Sequence, residues 1–227
     1  MERVALKDLM GPLNETEEKS APPFVYIEGN HNFMLDGPRV SIVGSRKASQ
    51  TGINNTILLA EALVKKGIII VSGLAEGIDT AAHKAAIKDG GKTIAVLGTP
   101  LDVCYPVENR KLQEEIMKNH LVISQFPLKS TVQRGNFPMR NRTMALISHA
   151  TIIVEAGDTS GSLHQGWEAL RLGRPLFILE SIMNNKKLKW PQEMIKYGAI
   201  ALSTKDLKPL LDVLPTSGIL VNLDAAI

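Results

Sequence analysis

The feature that most constrains the fold of this chain is a regular alternation of short apolar runs with longer segments of helical periodicity. The apolar runs, each predicted to be a strand, are residues 40–43, 68–71, 93–97, 120–123, 151–154 and 176–179. The helical segments between them are residues 51–66, 79–88, 109–118, 140–148 and 161–172. Because the runs are apolar throughout, these strands are predicted to be buried on both faces, as in a parallel sheet built from βαβ units. The pattern therefore predicts an α/β fold with a doubly wound, mostly parallel sheet, extended Rossmann-like, with helices on both faces.

This domain is predicted to carry an addition at each end. Residues 14–20 are polar and acidic and are followed by two prolines, so residues 1–21 are interpreted as an N-terminal extension or linker. A short strand over residues 24–29 then opens a single domain that extends over residues 22–213. Residues 214–227 show no periodic pattern and are interpreted as a C-terminal tail.

Composition excludes several classes of protein. Hydrophobic residues make up 44% of the chain and charged residues 22%, which is ordinary for a globular domain. The single cysteine, Cys104, excludes an internal disulfide and a cysteine-cluster metal site. We find neither a secretory leader nor an apolar run long enough to span a bilayer, so a cytoplasmic protein without membrane contact is expected. The net charge of +3 is mild, and any binding of a polyanion must therefore come from a local basic site.

In an open parallel sheet, ligands bind outside the carboxyl ends of the strands, so the residues that follow each strand are the informative ones. The first predicted strand is followed by Gly44, Ser45, Arg46 and Lys47. Small residues allow backbone amides to approach an anion, and a guanidinium suits phosphate oxygens. The segment matches neither the dinucleotide-binding nor the Walker A glycine pattern, so no cofactor is predicted. A simple turn with an exposed arginine remains the alternative.

The second strand is followed by Ser72 and Gly73, which again permit close backbone approach. Asp79 is expected to cap the next helix, and His83 lies one turn further along the same face. A metal site at this pair would lack a third ligand, so a cap and a hydrogen bond are favoured and no metal is predicted.

The strongest signal for a polyanion follows the fourth strand, where Phe137 precedes Arg140, Asn141 and Arg142. The two arginines are predicted to contact successive phosphates and Phe137 to stack on a base. The alternative is that Phe137 belongs to the core and that the arginines pair with acids such as Glu155.

A further anion-binding loop is predicted after the fifth strand. Ser160, Gly161 and Ser162 open a helix there, and their amides and hydroxyls are expected to face an anion. Four strand ends thus offer small residues, hydroxyls and arginines, while few groups have catalytic character.

These loops, taken in order, resemble those of the DNA-processing protein A (DprA, also called Smf) family. The resemblance covers roughly residues 22–201 and is carried by five ordered motifs. The motifs are Val43-Gly44-Ser45-Arg46, residues 72–83, residues 93–98 with Tyr105-Pro106 and Asn109, residues 136–142, and residues 154–163.

The resemblance implies an extended Rossmann domain that binds single-stranded DNA in a basic pocket. Members of this family protect incoming DNA during natural transformation, help load the RecA recombinase and usually act as homodimers. Carried over by position, the pocket residues would be Gly44, Ser45, Arg46, Gly73, Arg140, Arg142, Gly161 and Ser162.

Two alternatives remain open for the same loops. One is a sensor that holds a small nucleotide without changing it. The other is an enzyme similar to the phosphoribohydrolases that cleave nucleoside monophosphates. Their catalytic glutamate would fall at Gln165, which cannot act as a carboxylate, and Glu168 lies one turn further on. We therefore predict no catalytic residue and a non-enzymatic binding protein.

Overall fold

A computed structural model describes residues 1–34, 37–185 and 187–215 of the chain. Its strands form one nine-stranded sheet in the order β1-β2-β6-β5-β4-β3-β7-β8-β9. The strands are β1 (Glu2–Ala5), β2 (Phe24–Gly29), β3 (Arg39–Gly44), β4 (Ile69–Ser72), β5 (Thr93–Leu97), β6 (Leu121–Ser124), β7 (Ala150–Glu155), β8 (Leu176–Leu179) and β9 (Ile200–Leu202). Strands β3 to β9 are mutually parallel, whereas β1 and β2 are antiparallel to their neighbours. The predicted doubly wound, mostly parallel sheet is confirmed.

Helices cover both faces of this sheet. They are α1 (Leu6–Met10), α2 (Glu15–Glu18), α3 (Gln50–Val64), α4 (Ile78–Lys88), α5 (Arg110–Asn119), α6 (Asn136–Ile147), α7 (Ser162–Arg171), α8 (Glu180–Met183), α9 (Trp190–Lys196) and α10 (Lys208–Leu211), with 3₁₀ turns at His31–Met34 and Val107–Asn109. Helices α1, α6, α7, α8 and α9 bury apolar side chains on one face, and α3, α4, α5 and α10 do so on the other. Within the described ranges, no helix is long and apolar enough to cross a membrane.

The order of the strands places a switch point between β3 and β7. From β3 the chain proceeds outward through β4, β5 and β6, then returns to add β7, β8 and β9 on the other side of β3. The loops that leave β3 and β7 therefore diverge to opposite sides and leave a crevice at the carboxyl edge of the sheet. This is the position at which an open α/β sheet binds its ligand.

The segment before residue 22 differs from the linker expected there. Glu2–Ala5 pairs with β2, and Leu6 and Leu9 are buried in the same core as β2 and β6. Asn14 accepts the amides of Thr16 and Glu17 and so begins α2. Each piece is too short to produce a period in the sequence, which explains why composition suggested a linker. The division of the chain at residue 22 stays a prediction.

One other feature differs from the sequence pattern. Helix α6 begins at Asn136, a turn before the predicted start, because Pro138 falls in the first turn, where no intrahelical amide is needed. The predicted tail over residues 214–227 lies, from residue 216 onward, outside the described residues.

The burial of the N-terminal segment leads to a test of stability. Leu6→Ala should lower the free energy of unfolding by about 2–5 kcal/mol, because it removes a fully buried side chain and leaves a cavity. Leu58→Ala, on the exposed face of α3, is the matched control and should change stability by less than about 0.5 kcal/mol. Urea denaturation measures both. Equal midpoints for the two variants would show that the segment does not belong to the core.

Candidate functional site

The crevice at the switch point is a cavity of about 530 Å³, which we call the switch-point cleft. The loop after β3 supplies Gly44, Ser45, Arg46 and Lys47. The start of α6 supplies Phe137, Pro138, Arg140 and Asn141, and the loop before α7 supplies Gly157, Thr159, Ser160, Gly161 and Ser162, with His164 and Gln165 behind them. Three strand-end segments that are distant in sequence thus meet at one cavity.

The loop after β3 is held by backbone contacts on both sides. The Ser45 amide donates to the Glu155 carbonyl at 2.7 Å, and the Ser45 carbonyl accepts the Ile78 amide at 3.2 Å. A Cβ on Gly44 would lie 2.6 Å from the Ile78 side chain, so only glycine fits where the loop leaves the sheet. These contacts fix the backbone, while the Arg46 and Lys47 side chains remain exposed.

Arg140 is buried at the floor of the cleft. Its Nη1 donates to the carbonyls of Gly73 and Val96, the latter at 2.9 Å, and its Nε donates to Asn141 Oδ1 at 2.8 Å. These carbonyls belong to the ends of β4 and β5. The guanidinium therefore joins α6 to the carboxyl edge of the sheet.

Asp79 is hydrogen-bonded to the backbone of the same residue, Gly73. The Gly73 amide donates to Asp79 Oδ2 at 3.2 Å, and the Ala75 amide donates to the same oxygen at 3.4 Å. Asp79 is thus not the expected helix cap: α4 begins after Gly77, and the carboxylate receives amides of the preceding loop. Burial raises the pKa of Asp79 and lowers that of Arg140, and each charge opposes the shift of the other.

The hydrogen-bonded chain continues from Arg140 to the next loop. Asn141 Nδ2 donates to the Gly161 carbonyl at 3.0 Å, and the hydroxyls of Ser160 and Ser162 lie 2.7 Å apart. Gly161 is exposed directly before α7. The N-terminal end of this helix therefore faces the cleft, where its dipole favours an anion.

Phe137 lies at the rim of the switch-point cleft, near Tyr105 and Arg46. Its ring centroid lies 5.6 Å from that of Tyr105, and the Arg46 guanidinium carbon lies 5.6 Å from the Phe137 centroid. A Cβ on Gly98 would lie 2.6 Å from the Phe137 ring, so glycine is required beneath it. The ring is half-buried, which leaves part of it open to a planar ligand.

Three of the predicted site residues, Ser72, Gly73 and Arg142, do not line the cleft. Ser72 is fully buried at the end of β4, and its hydroxyl donates to the Ile42 carbonyl at 2.7 Å. Arg142 is exposed beyond the wall formed by α6, and its Nε donates to Glu168 at 3.1 Å. Gly73 is enclosed between Asp79 and Arg140, so it supports the site from below.

The alternative partner suggested for the arginines, Glu155, is engaged elsewhere. Its Oε1 accepts the Ser49 amide at 2.9 Å and thereby joins the end of β7 to the start of α3.

Sequence reasoning did not identify the cleft residues Thr159 and His164. Their position beside the predicted Ser160 and Ser162 was the available signal.

No group of three or more potential metal ligands occurs among the side chains that the structure describes. His83 is fully buried and its Nδ1 lies 2.7 Å from the Thr93 hydroxyl. Burial lowers the pKa of His83 to about 3, so this imidazole is neutral at ordinary pH.

The arrangement around Gly73 predicts a sharp intolerance of substitution. A Cβ at this position would lie 2.0 Å from Arg140 Nη1 and 2.8 Å from Asp79 Oδ2. Gly73→Ala should therefore lower the free energy of unfolding by about 1–3 kcal/mol, as expected when a packed site is overfilled.

Gly157→Ala provides the control for this substitution. Gly157 lies in the loop of the cleft, but a Cβ there meets nothing within 4 Å. Denaturant titration of both variants measures the difference. If Gly73→Ala were as stable as Gly157→Ala, the Arg140 network would not be rigid.

Comparison with known proteins gives a consistent result. A family model described as DNA recombination-mediator protein A matches residues 6–212. Protein Smf from Synechocystis is 39% identical over 203 residues, which cover 88% of this chain and 51% of that protein. DNA processing protein DprA from Streptococcus pneumoniae is 42% identical over 168 residues, which cover 74% of this chain and 59% of that protein. The chain thus spans between half and two thirds of the length of these two relatives.

Solved structures agree with these matches. The structure of DNA processing protein A from S. pneumoniae superposes with a TM-score of 0.82 and 34% identity, covering 95% of this chain and 75% of that one. DNA processing protein A from Helicobacter pylori, described for its single-stranded DNA binding mode, gives a TM-score of 0.77 and 27% identity, covering 93% and 95%. A molybdenum cofactor binding protein from Rippkaea orientalis, with a TM-score of 0.55 and 18% identity over 78% of this chain and 96% of that one, shares the fold alone.

Proposed function

Because this chain belongs to the DNA recombination-mediator protein A family, we propose that it binds single-stranded DNA in the switch-point cleft and does not alter it chemically. The observation that carries the proposal is the division of the cleft into two kinds of surface. Arg46, Lys47 and the start of α7 offer positive potential to phosphates, and Phe137 offers a ring face to a base. A protein that binds single-stranded DNA without sequence preference uses these two kinds of contact.

The cations of the cleft have different roles in this proposal. Arg46 and Lys47 are exposed and can neutralise phosphates, whereas Arg140 already donates hydrogen bonds to two carbonyls and to Asn141. Arg140 therefore supports the binding surface and adds its charge from beneath it.

The geometry does not favour the phosphoribohydrolase alternative. Gln165 is fully buried, with its side-chain amide group 3.3 Å from the Ser41 hydroxyl. Glu168 is bound by Arg142 and Arg171 at 3.1 and 2.8 Å and is not among the residues that line the cleft. Asp79, the carboxylate that does line it, is buried against Gly73. A general base needs a carboxylate within reach of the reacting atoms.

A sensor for a small nucleotide is the second candidate, and it uses the same phosphate and base contacts. Competition separates the two functions. A mononucleotide that displaces a labelled oligonucleotide only at great excess supports DNA as the ligand, whereas displacement at comparable concentration supports the sensor.

The family also suggests wider roles, which we include in the proposal: protection of incoming DNA in the cytoplasm, assembly as a homodimer and delivery of the strand to RecA. Light scattering of the purified chain tests the dimer. A pull-down with RecA, in the presence and absence of oligonucleotide, tests the delivery. A monomer that does not retain RecA would remove these two roles and leave DNA binding in place.

Removal of the exposed cations tests phosphate contact. Arg46→Ala/Lys47→Ala should weaken binding of an oligothymidylate. The slope of log K against the logarithm of the salt concentration should become shallower by about 1.4, since each lost phosphate contact on a single strand contributes roughly 0.7. Fluorescence anisotropy at several salt concentrations gives both quantities. Lys84→Ala/Lys88→Ala, which removes two exposed charges in the C-terminal half of α4, is the control. Equal salt slopes for the two double variants would exclude phosphate contact by the loop after β3.

Substitution of Phe137 tests base stacking separately. Phe137→Leu keeps an apolar side chain against Gly98 but removes the aromatic face, so affinity should fall by about 1–3 kcal/mol. Because no charge changes, the salt slope should stay the same as that of the wild type. An unchanged affinity would show that no base stacks on this ring.

A further inference from the structure

A second cavity of about 440 Å³ lies beyond the first turns of α6, and we call it the outer groove. Its lining includes Arg3, Lys19, Phe24, Gln125, Met139 and Arg142. Helix α6 contributes to both cavities: Phe137, Pro138, Arg140 and Asn141 line the switch-point cleft, while Met139 and Arg142 line the outer groove. The start of α6 is therefore a wall shared by the two cavities.

The outer groove lies at the same edge of the sheet as the cleft. Strand β2 is antiparallel to β6, with Tyr26 opposite Ser124, so the start of β2 lies beside the carboxyl end of β6. Phe24 stands at that start, and Gln125 directly follows β6. A ligand that leaves the cleft along this edge meets the outer groove after crossing one helix, a width of about 10 Å.

The charge of the outer groove is positive. Arg3, Lys19 and Arg142 line it, and among the residues that the structure describes no Asp or Glu does so. Arg142 and Arg171 share the single carboxylate of Glu168, so these two cations are only half neutralised. Arg171 Nη2 also donates to the hydroxyl of Ser20, another residue of the groove, at 2.6 Å.

The groove also offers planar surfaces. The Arg3 guanidinium carbon lies 3.9 Å from the centroid of the Phe24 ring. Phe24 is 42% exposed and Met139 is 45% exposed, which is high for large apolar side chains. Cations placed beside an exposed aromatic ring are the combination that single-stranded nucleic acids use, with phosphates on the cations and a base on the ring.

We propose that the outer groove is a second subsite for the same single strand, which continues from the switch-point cleft over the start of α6. The inference rests on the proposed function and adds the direction in which the DNA strand leaves the cleft. Phosphates contact Lys19 and Arg142, and a base stacks at Arg3 and Phe24. The absence of acidic lining residues within the described chain and the wall shared with the cleft favour a nucleic-acid strand over a protein partner.

Dependence on oligonucleotide length tests this subsite. Labelled oligothymidylates of about 5 and about 20 nucleotides bracket the roughly 4–16 nucleotides that single-strand binding domains cover. The wild type should bind the long strand more tightly than the short one. Arg3→Ala/Arg142→Ala should weaken binding of the long strand roughly tenfold, through lost stacking and phosphate contacts, and leave the short strand unaffected.

The short strand also reports on the integrity of the variant, because it occupies the switch-point cleft alone. Lys84→Ala/Lys88→Ala, with the same loss of charge, should bind both strands as the wild type does. If Arg3→Ala/Arg142→Ala binds the long strand with wild-type affinity, the subsite is excluded and the cleft remains. If the wild type binds neither strand, the proposed function fails and the subsite fails with it.

Discussion

The structure of the cleft depends on the buried backbone of one residue, Gly73. Its carbonyl accepts Arg140 and its amide donates to Asp79, so a cation from α6 and a carboxylate from α4 are joined through the end of β4. A buried charge is tolerated when it is hydrogen-bonded, and Arg140 donates hydrogen bonds to two carbonyls and to Asn141. The chain of bonds then extends from Asn141 to Gly161. The ends of β4 and β5, the start of α6 and the loop after β7 are thereby fixed relative to one another before any ligand arrives.

Because the backbone of the site is held in place, its arginines have different roles. Arg140 uses its Nε and Nη1 for hydrogen bonds within the protein, whereas the exposed Arg46 side chain lies over the Phe137 ring. Arg142 points away from the cleft and shares Glu168 with Arg171. A preformed backbone with exposed cations at its rim suits a ligand whose phosphates repeat but whose bases vary, because binding then requires little rearrangement of the protein.

Much of this arrangement could be predicted from the sequence, for identifiable reasons. Continuous apolar runs gave β3 to β8 within one or two residues, and the rule for strand ends led to Gly44, Arg46, Phe137 and Gly161. Helical geometry could have separated Arg142 from Arg140, because both lie in the helix predicted over residues 140–148 and two residues along a helix are about 200° apart. The strand before residue 22 was missed because Glu2–Ala5 is too short to show a period and gains its stability from pairing with β2. The role of Asp79 was not predicted because its carboxylate accepts the amides of Gly73 and Ala75 in the preceding loop, whereas the capping rule assigns such a carboxylate to the amides of the helix that follows.

The central claim is that a single DNA strand lies in the switch-point cleft, and photo-crosslinking tests it most directly. An oligonucleotide that carries 4-thiothymidine is irradiated with the wild-type chain, and the attached peptides are identified by mass spectrometry. If the strand lies in the switch-point cleft, crosslinks are expected in residues 44–47, at Phe137 and in residues 157–164. Crosslinks confined to the opposite end of the sheet or to the exposed face of α3, with none in these segments, would contradict it.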